Sequence, residues 1–108
     1  MGNASPTEYQ AVMDRNQKKQ RLYAVALGQL LMAEALSEKG RAAPAQELAE
    51  SALRFFAVVG NWETMWRCQR ILRQDAAVKE TLERGRAELG TEALELYRKV
   101  PIIEKMLP

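Results

Sequence analysis

Residues 44–62 read PAQELAESALRFFAVVGNW, and the pattern of this stretch predicts a helical fold. Its apolar residues recur every three or four positions, as on one face of a helix; they are Ala45, Leu48, Ala49, Ala52, Phe55, Phe56 and Val59. Pro44 suits the first turn of a helix, because the amide hydrogen that proline lacks has no partner there. Gly60 predicts the end of the helix, because glycine readily adopts the left-handed conformation that closes one. We therefore predict a helix over 44–59, followed by a second helix that Asn61 caps.

The rest of the chain repeats this alternation of apolar helix faces and stop signals. With the helix over 44–59, it predicts five helices in all; the other four lie over 7–39, 61–73, 75–89 and 91–100, and the one over 61–73 is the helix that Asn61 caps. Ser5 and Asp75 stand where they can cap the first and the fourth helix, and Gly40 predicts the end of the first. The polar stretch 15–21 either lies exposed in the middle of the first helix or breaks that helix. No stretch alternates with the period of two that a strand requires.

Short connections between successive helices favour antiparallel neighbours. A length of 108 residues is typical of one domain, so the chain is predicted to form a single all-α domain over 1–108. We expect about five helices arranged as antiparallel helical hairpins, either in a stack or in a small bundle. Pro101 breaks the fifth helix, and the tail 102–107 is expected to add one last turn.

Several positions around Gly40 follow the pattern of a known helical repeat. The helix before Gly40 provides the apolar residues of that pattern: Met32, Ala33 and Leu36. In the helix after it, Ala45 and Ala52 are small residues that let two helices cross closely. On these residues the segment 27–72 resembles tetratricopeptide (TPR) repeats, of the degenerate kind found in large bacterial signalling and transcription regulators.

The resemblance implies a stack of helical hairpins that serves as a scaffold for binding another protein. It also implies a role in signalling or transcription regulation, and raises the alternative that the chain is a fragment of a larger regulator. Two positions depart from the family pattern. Ala49 stands where the family prefers a bulky residue, and Ala57 replaces the usual proline at the end of the repeat. A helical bundle without repeats therefore stays open as an alternative.

The composition excludes several classes of protein. Hydrophobic residues make up 47% of the chain and charged residues 28%, which is typical of a globular protein and not of a disordered one. A net charge of +2 creates no strong field for nucleic acid or for an anionic membrane. No apolar run reaches the roughly 18 residues of a membrane span. A single cysteine forms no internal disulfide and suits a reducing compartment, so we expect a cytoplasmic protein.

The residues that commonly carry out catalysis are missing or isolated. The chain has no histidine, which is the commonest general base and the commonest zinc ligand. Cys68 therefore lacks the partner that a nucleophilic cysteine requires, and a buried structural role is the better interpretation. Carboxylate pairs such as Glu47 with Glu50 are typical of a solvated helix surface. The sequence predicts a protein that is not an enzyme and holds no cofactor and no metal ion.

The candidate binding residues follow from the predicted stack of hairpins. The first helix of each hairpin lines the concave side of such a stack, and partners usually bind there. If the first and third helices have this role, the residues that bind a peptide or helix of another protein are Gln29, Trp62, Arg67 and Arg70. We expect these four to be partly exposed and Trp66 to lie in the core. The residues expected to be buried in the hairpins are Leu48, Ala52, Phe56 and Met65.

Two other functions stay open. The chain could be a homo-oligomerisation domain, because the segment 22–36 and the tail 102–107 carry more apolar surface than one small core can cover. Alternatively, basic residues could make it a nucleic-acid accessory domain. They form two edges: Arg15, Lys18, Lys19 and Arg21, and then Arg54, Arg67, Arg70 and Arg73. Acidic residues are interspersed among the second group, which favours a solvated face, and we expect no nucleic-acid partner and no membrane.

Overall fold

The computed structural model describes residues 6–107, and every regular element in that range is a helix. The helices are α1 (Pro6–Glu38), α2 (Ala42–Val59), α3 (Trp62–Ile71), α4 (Asp75–Leu89), α5 (Thr91–Arg98) and α6 (Pro101–Met106). The predicted all-α class is confirmed. The tail is a sixth short helix, with Pro101 in its first turn. The predicted cap Ser5 lies outside the described residues.

The polar stretch 15–21 does not break α1, which runs without interruption from Pro6 to Glu38. Lysine, arginine and glutamine are good helix formers, so the stretch continues the helix although it contributes nothing to a core. The side chains described between Thr7 and Val25 are all exposed. The first half of α1 therefore projects beyond the body of the protein.

Glycines end the first two helices and begin the turns that follow them. Gly40 and Gly60 have φ angles of 76° and 73°, in the left-handed region, and the Gly60 amide donates to the Phe56 carbonyl. The short turn at Gly40 folds α2 back along α1, and the rings of Tyr23 and Phe56 meet edge to face, 5.7 Å between centroids. The first two helices thus form an antiparallel hairpin.

The caps of α3 and α4 follow different rules. The Asn61 side chain accepts a hydrogen bond of 3.3 Å from the Thr64 amide at the start of α3, so the predicted cap is confirmed. Asp75 does not cap α4: it is the first residue of the helix, and Gln74 occupies the cap position without a side-chain hydrogen bond. Asp75 instead places a negative charge in the first turn, where the helix dipole favours it.

The first core cluster lies where α1, α2 and α3 meet. It contains Ala26, Leu30, Ala33, Ala45, Ala49, Ala52, Phe56, Met65, Cys68 and Ile71. Ala45, Ala49 and Ala52 are fully buried on one face of α2. Small side chains at a helix crossing let the backbones approach closely, so this face of α2 can pack tightly in the first core cluster.

The second core cluster joins α3 to the C-terminal helices. It contains Trp62, Trp66, Val78, Leu82, Leu94 and Ile103. Burial of Ile103 shows that part of the apolar tail belongs to this core. A buried hydrogen bond of 2.7 Å from the Thr81 hydroxyl to the Gln69 side-chain carbonyl connects α4 to α3. Because α3 contributes to both clusters, it is the central helix of the fold.

Arg73 offers a test of the turn between α3 and α4. Its φ angle is 59° and its side chain is exposed. A residue with a Cβ is strained in this conformation by about 1–2 kcal/mol, whereas glycine is not. Glycine relieves this strain, but it also makes the unfolded chain more flexible, which offsets part of the gain. We therefore expect Arg73→Gly to raise the free energy of unfolding by about 0.5–1 kcal/mol. Urea denaturation measures the change.

Gly40→Ala is the matched control for this prediction. A Cβ at Gly40 would meet nothing within 4 Å, and the φ angle is 76°. The substitution therefore adds backbone strain alone, and should lower the free energy of unfolding by about 1 kcal/mol. Equal effects of the two substitutions, or a loss of stability in Arg73→Gly, would contradict the assigned strain.

Candidate functional site

An open groove lies between the projecting half of α1, the turn from α2 to α3, and the end of α4. Its volume is about 570 Å³, and it is lined by Lys19, Gln20, Tyr23, Phe55, Val59, Gly60, Asn61, Trp62 and Glu88. We call it the aromatic groove. It forms because α1 continues past the end of α2, and because Gly60 and Asn61 turn the chain there into α3.

Aromatic rings form much of the surface of the aromatic groove. Tyr23 lies edge to face with Phe55, with centroids 6.1 Å apart, and Phe55 meets Phe56 in the same way at 5.7 Å. These contacts join the exposed Tyr23 ring to the fully buried Phe56. The groove is therefore held in shape by the first core cluster.

Trp62 lines the groove and also belongs to the second core cluster. Its ring packs on Gly85 of α4 so closely that a Cβ at Gly85 would lie 2.7 Å from a ring carbon. It also meets Tyr97 edge to face, with centroids 5.4 Å apart. The indole is therefore fixed between α4 and α5, and only a small part of it remains exposed.

The remaining side chains around the groove are polar or charged. Lys19 and Glu88 carry opposite charges, and Gln20 and Asn61 can donate and accept hydrogen bonds. An apolar cleft with a few polar groups is the usual composition of a binding site. This groove can accept an apolar side chain of a partner and orient it through its polar rim.

A group of hydrogen-bonded polar and aromatic side chains connects α1, α3 and α5. The Arg67 guanidinium donates two hydrogen bonds to the Glu34 carboxylate, one of them 2.9 Å long, and a third of 3.5 Å to Glu63. The Tyr97 hydroxyl donates to Glu63 and accepts from the Trp66 indole, both at 3.1 Å. We call this chain of five residues the polar clamp.

The environment of the polar clamp shifts the pKa of two of its members. The hydrogen bonds that Arg67 donates to the Glu34 carboxylate raise the pKa of Arg67 above its usual value, and burial raises the pKa of Tyr97. Both groups therefore keep at neutral pH the protons that they donate. The clamp is a stable set of hydrogen bonds that fixes α1 and α5 against α3.

Three of the four predicted binding residues lie on α3, and Gln29 lies on α1. The expected exposure of Trp62 is wrong: the side chain is 8% exposed, because Gly85 leaves room for the indole against α4. Arg67 has only part of its side chain exposed, because the polar clamp holds it. Gln29 and Arg70 are half-buried. The structure does not collect these four residues into one exposed surface.

Most of the residues that we expected to be buried are buried. Ala52, Phe56 and Met65 are buried, and Trp66 is a fully buried core residue as expected. Leu48 is half-buried at the margin of the first core cluster. The helical spacing thus identified the inner face of α2 but not how far that face is covered.

Cys68 is buried in the first core cluster. Burial raises the pKa of its thiol to about 12, so the thiol keeps its proton at neutral pH and is a poor nucleophile. Within residues 6–107, no group of three His, Cys, Asp or Glu side chains is placed to hold a metal ion. No helix in this range is long and apolar enough to cross a membrane.

Comparisons of the chain with protein-family models, with curated proteins and with solved structures found no match. The resemblance to TPR repeats therefore stays a prediction.

Sequence reasoning missed most of the aromatic groove, because its residues come from helices that are distant in the chain. Phe55 and Val59 are four positions apart, and this spacing indicates only that they share one face of a helix. Reasoning from sequence also missed Glu34, although a signal was present. Glu34 is the one charged residue between Arg21 and Glu38, and an isolated charge in an apolar helix face requires a partner.

Proposed function

We propose that this protein is a non-enzymatic interaction module that binds a peptide or helix of a partner protein in the aromatic groove. The observation that carries the proposal is the composition of the groove: Tyr23, Phe55 and Val59 form an apolar surface, and Lys19 and Glu88 add charges. Aromatic side chains held in place by a core are typical of residues that dominate binding energy.

The arrangement of the helices also supports this proposal. Consecutive helices pack together, and α1 packs on α3 as well as on α2. A first helix that packs both on its successor and on the next helix but one is compatible with a TPR-like stack of hairpins. A role within a signalling or transcription regulator follows from the TPR resemblance alone, and we propose it on that basis.

Selection of peptides from a random phage-displayed library tests the function. We expect the selected peptides to carry apolar or aromatic residues, and to bind the protein in isothermal titration. Val59→Glu should weaken binding by at least about tenfold, because a charge enters the apolar surface and costs more than about 1 kcal/mol. Val59 is exposed at the end of α2, so this substitution should leave the fold intact.

Val58→Glu is the matched control, since Val58 is the neighbouring residue, is 86% exposed and does not line the groove. It should leave the affinity unchanged. Selected peptides that bind both variants equally well would contradict the proposed site. Tight binding of duplex DNA or of RNA at low salt, with no peptide selected, would favour the basic edge of α1 and the nucleic-acid function instead.

A further inference from the structure

The aromatic groove carries two opposite charges, one on each of the long helices that border it. Lys19 lies on the projecting half of α1 and Glu88 lies near the end of α4, and both side chains line the groove. Both residues are exposed. The other residues that line the groove are all uncharged. The groove therefore combines an apolar surface with one positive and one negative border.

Neither of these charges is neutralised by a close partner in the fold. In the part of the chain that the structure describes, no ion pair includes Lys19 or Glu88. Lys19 has no acidic neighbour on α1, because no aspartate or glutamate occurs over 15–33. Glu88 has Arg84 one turn before it on α4, but the Arg84 guanidinium donates to the Met65 sulfur over 3.9 Å. Both charges are therefore available to a bound molecule.

The two charged borders belong to different parts of the fold. Helix α1 packs on α2 and α3, whereas α4 packs on α3 and α5. Among the described residues, α1 and α4 make no extensive contact with each other. A segment that binds in the groove would therefore contact two helices that the fold itself leaves apart.

Asn61 adds a hydrogen-bond donor beside the apolar surface of the groove. Its side-chain oxygen accepts from the Thr64 amide over 3.3 Å, as the cap of α3, and this bond orients the side-chain amide. The NH₂ group of the same side chain can donate to a carbonyl oxygen. A peptide backbone offers such carbonyls at every residue, so Asn61 suits a peptide as the bound molecule.

We propose, building on the peptide-binding function above, that the partner segment carries an apolar anchor flanked by one acidic and one basic residue. The anchor packs on Tyr23, Phe55 and Val59. The acidic residue of the partner pairs with Lys19, and its basic residue pairs with Glu88.

Charge complementarity sets this requirement. A bound segment displaces water from the groove, and a charge that loses water without gaining a partner raises the free energy of the complex. Like charges brought together across an interface also repel each other. A segment with acidic residues on both sides of its anchor would meet Glu88, and one with basic residues on both sides would meet Lys19. Only a segment with both signs satisfies the two borders.

Parallel selections from one random phage-displayed peptide library test the proposal. The wild-type protein should select peptides with both an acidic and a basic residue around an apolar anchor. Lys19→Glu makes both borders negative and should select basic residues on both sides of the anchor. Glu88→Lys makes both borders positive and should select acidic residues on both sides. Lys19→Glu combined with Glu88→Lys restores opposite charges and should again select peptides with both signs.

Lys18→Glu and Glu80→Lys are the matched controls. Lys18 adjoins Lys19 on α1, and Glu80 lies on α4 with Glu88; both are exposed and neither lines the groove. At about 0.15 M salt, charges more than about 8 Å apart are largely screened, so these two variants should select the same peptides as the wild-type protein. A circular dichroism melt of each variant shows that it is folded.

Isothermal titration of one peptide selected by the wild-type protein gives the size of the effect. Lys19→Glu and Glu88→Lys should each weaken its binding by at least about tenfold, because an attractive pair becomes a repulsive one. A synthetic version with lysine in place of its acidic residue should recover most of the lost affinity for Lys19→Glu, and should bind the wild-type protein weakly.

Two results would overturn the charge requirement and leave the peptide-binding function intact. One is a set of selected peptides that lose binding in Val59→Glu but carry charges of one sign or none. The other is a set of peptides selected by Lys19→Glu or by Glu88→Lys whose charges match those selected by the wild-type protein. By contrast, peptides that bind Val59→Glu as tightly as the wild-type protein, or a selection that yields no peptide, would contradict the peptide-binding function and the charge requirement with it.

Discussion

Arg67→Glu is expected to lower the free energy of unfolding by about 3 kcal/mol. The substitution removes the guanidinium from between Glu34 and Glu63 and places a third carboxylate beside them. The Arg67 and Glu34 side chains are only 17% and 16% exposed, so water screens this repulsion poorly. Urea denaturation followed by circular dichroism measures the change.

This expectation replaces the one that the sequence alone suggested. Interpreted as an exposed binding residue, Arg67 would tolerate reversal of its charge at a cost within about 0.5 kcal/mol. Its place in the polar clamp predicts a loss of stability several times larger. Reversal of the Arg67 charge would therefore impair any partner binding indirectly, by loosening α1 from α3.

Arg54→Glu is the matched control. Arg54 pairs with Glu50 one turn away at 3.8 Å, but the two side chains are 76% and 65% exposed. Exposed pairs of this kind contribute about 0.5 kcal/mol or less. The exchange Glu34→Arg with Arg67→Glu should recover part of the lost stability, since it restores opposite charges. If both single arginine substitutions had the same small effect, the polar clamp would not stabilise the fold.

The second large effect concerns two glycines in the middle of helices. Gly85→Ala should lower the free energy of unfolding by about 2–3 kcal/mol, because the new Cβ would lie 2.7 Å from the Trp62 ring. A shift of the indole away from the new Cβ would disturb its contact with Tyr97 and its place in the second core cluster. The helix propensity of alanine offsets only about 1 kcal/mol of this cost.

Gly28→Ala should change stability in the opposite direction. A Cβ at Gly28 meets nothing within 4 Å, so the exposed helix gains the propensity of alanine, about 0.5–1 kcal/mol. Thermal melts of both variants at the same protein concentration give the comparison. A stabilising effect of Gly85→Ala would show that Trp62 is not confined as the structure places it.

Local sequence signals predicted the helices well because each signal acts within a few residues. Gly40 and Gly60 end helices through their own backbone conformation, and Asn61 caps α3 through a hydrogen bond to a residue three positions away. The inner face of α2 followed from its apolar spacing. These features depend on φ angles and on contacts within one or two turns of helix, which the order of residues fixes directly.

The candidate sites depend on contacts that no local signal contains. Glu34 and Arg67 are 33 positions apart, and they meet only because α1 and α3 cross at one angle and in one register. Trp62 is buried because Gly85 of another helix leaves space for its ring. The aromatic groove exists because α1 continues past the end of α2. The sequence by itself determined which residues are helical and where each helix ends, since those choices are made by neighbouring residues. Only the tertiary structure decided which charges pair, which tryptophan is covered and which apolar faces stay open, because these follow from how the helices pack.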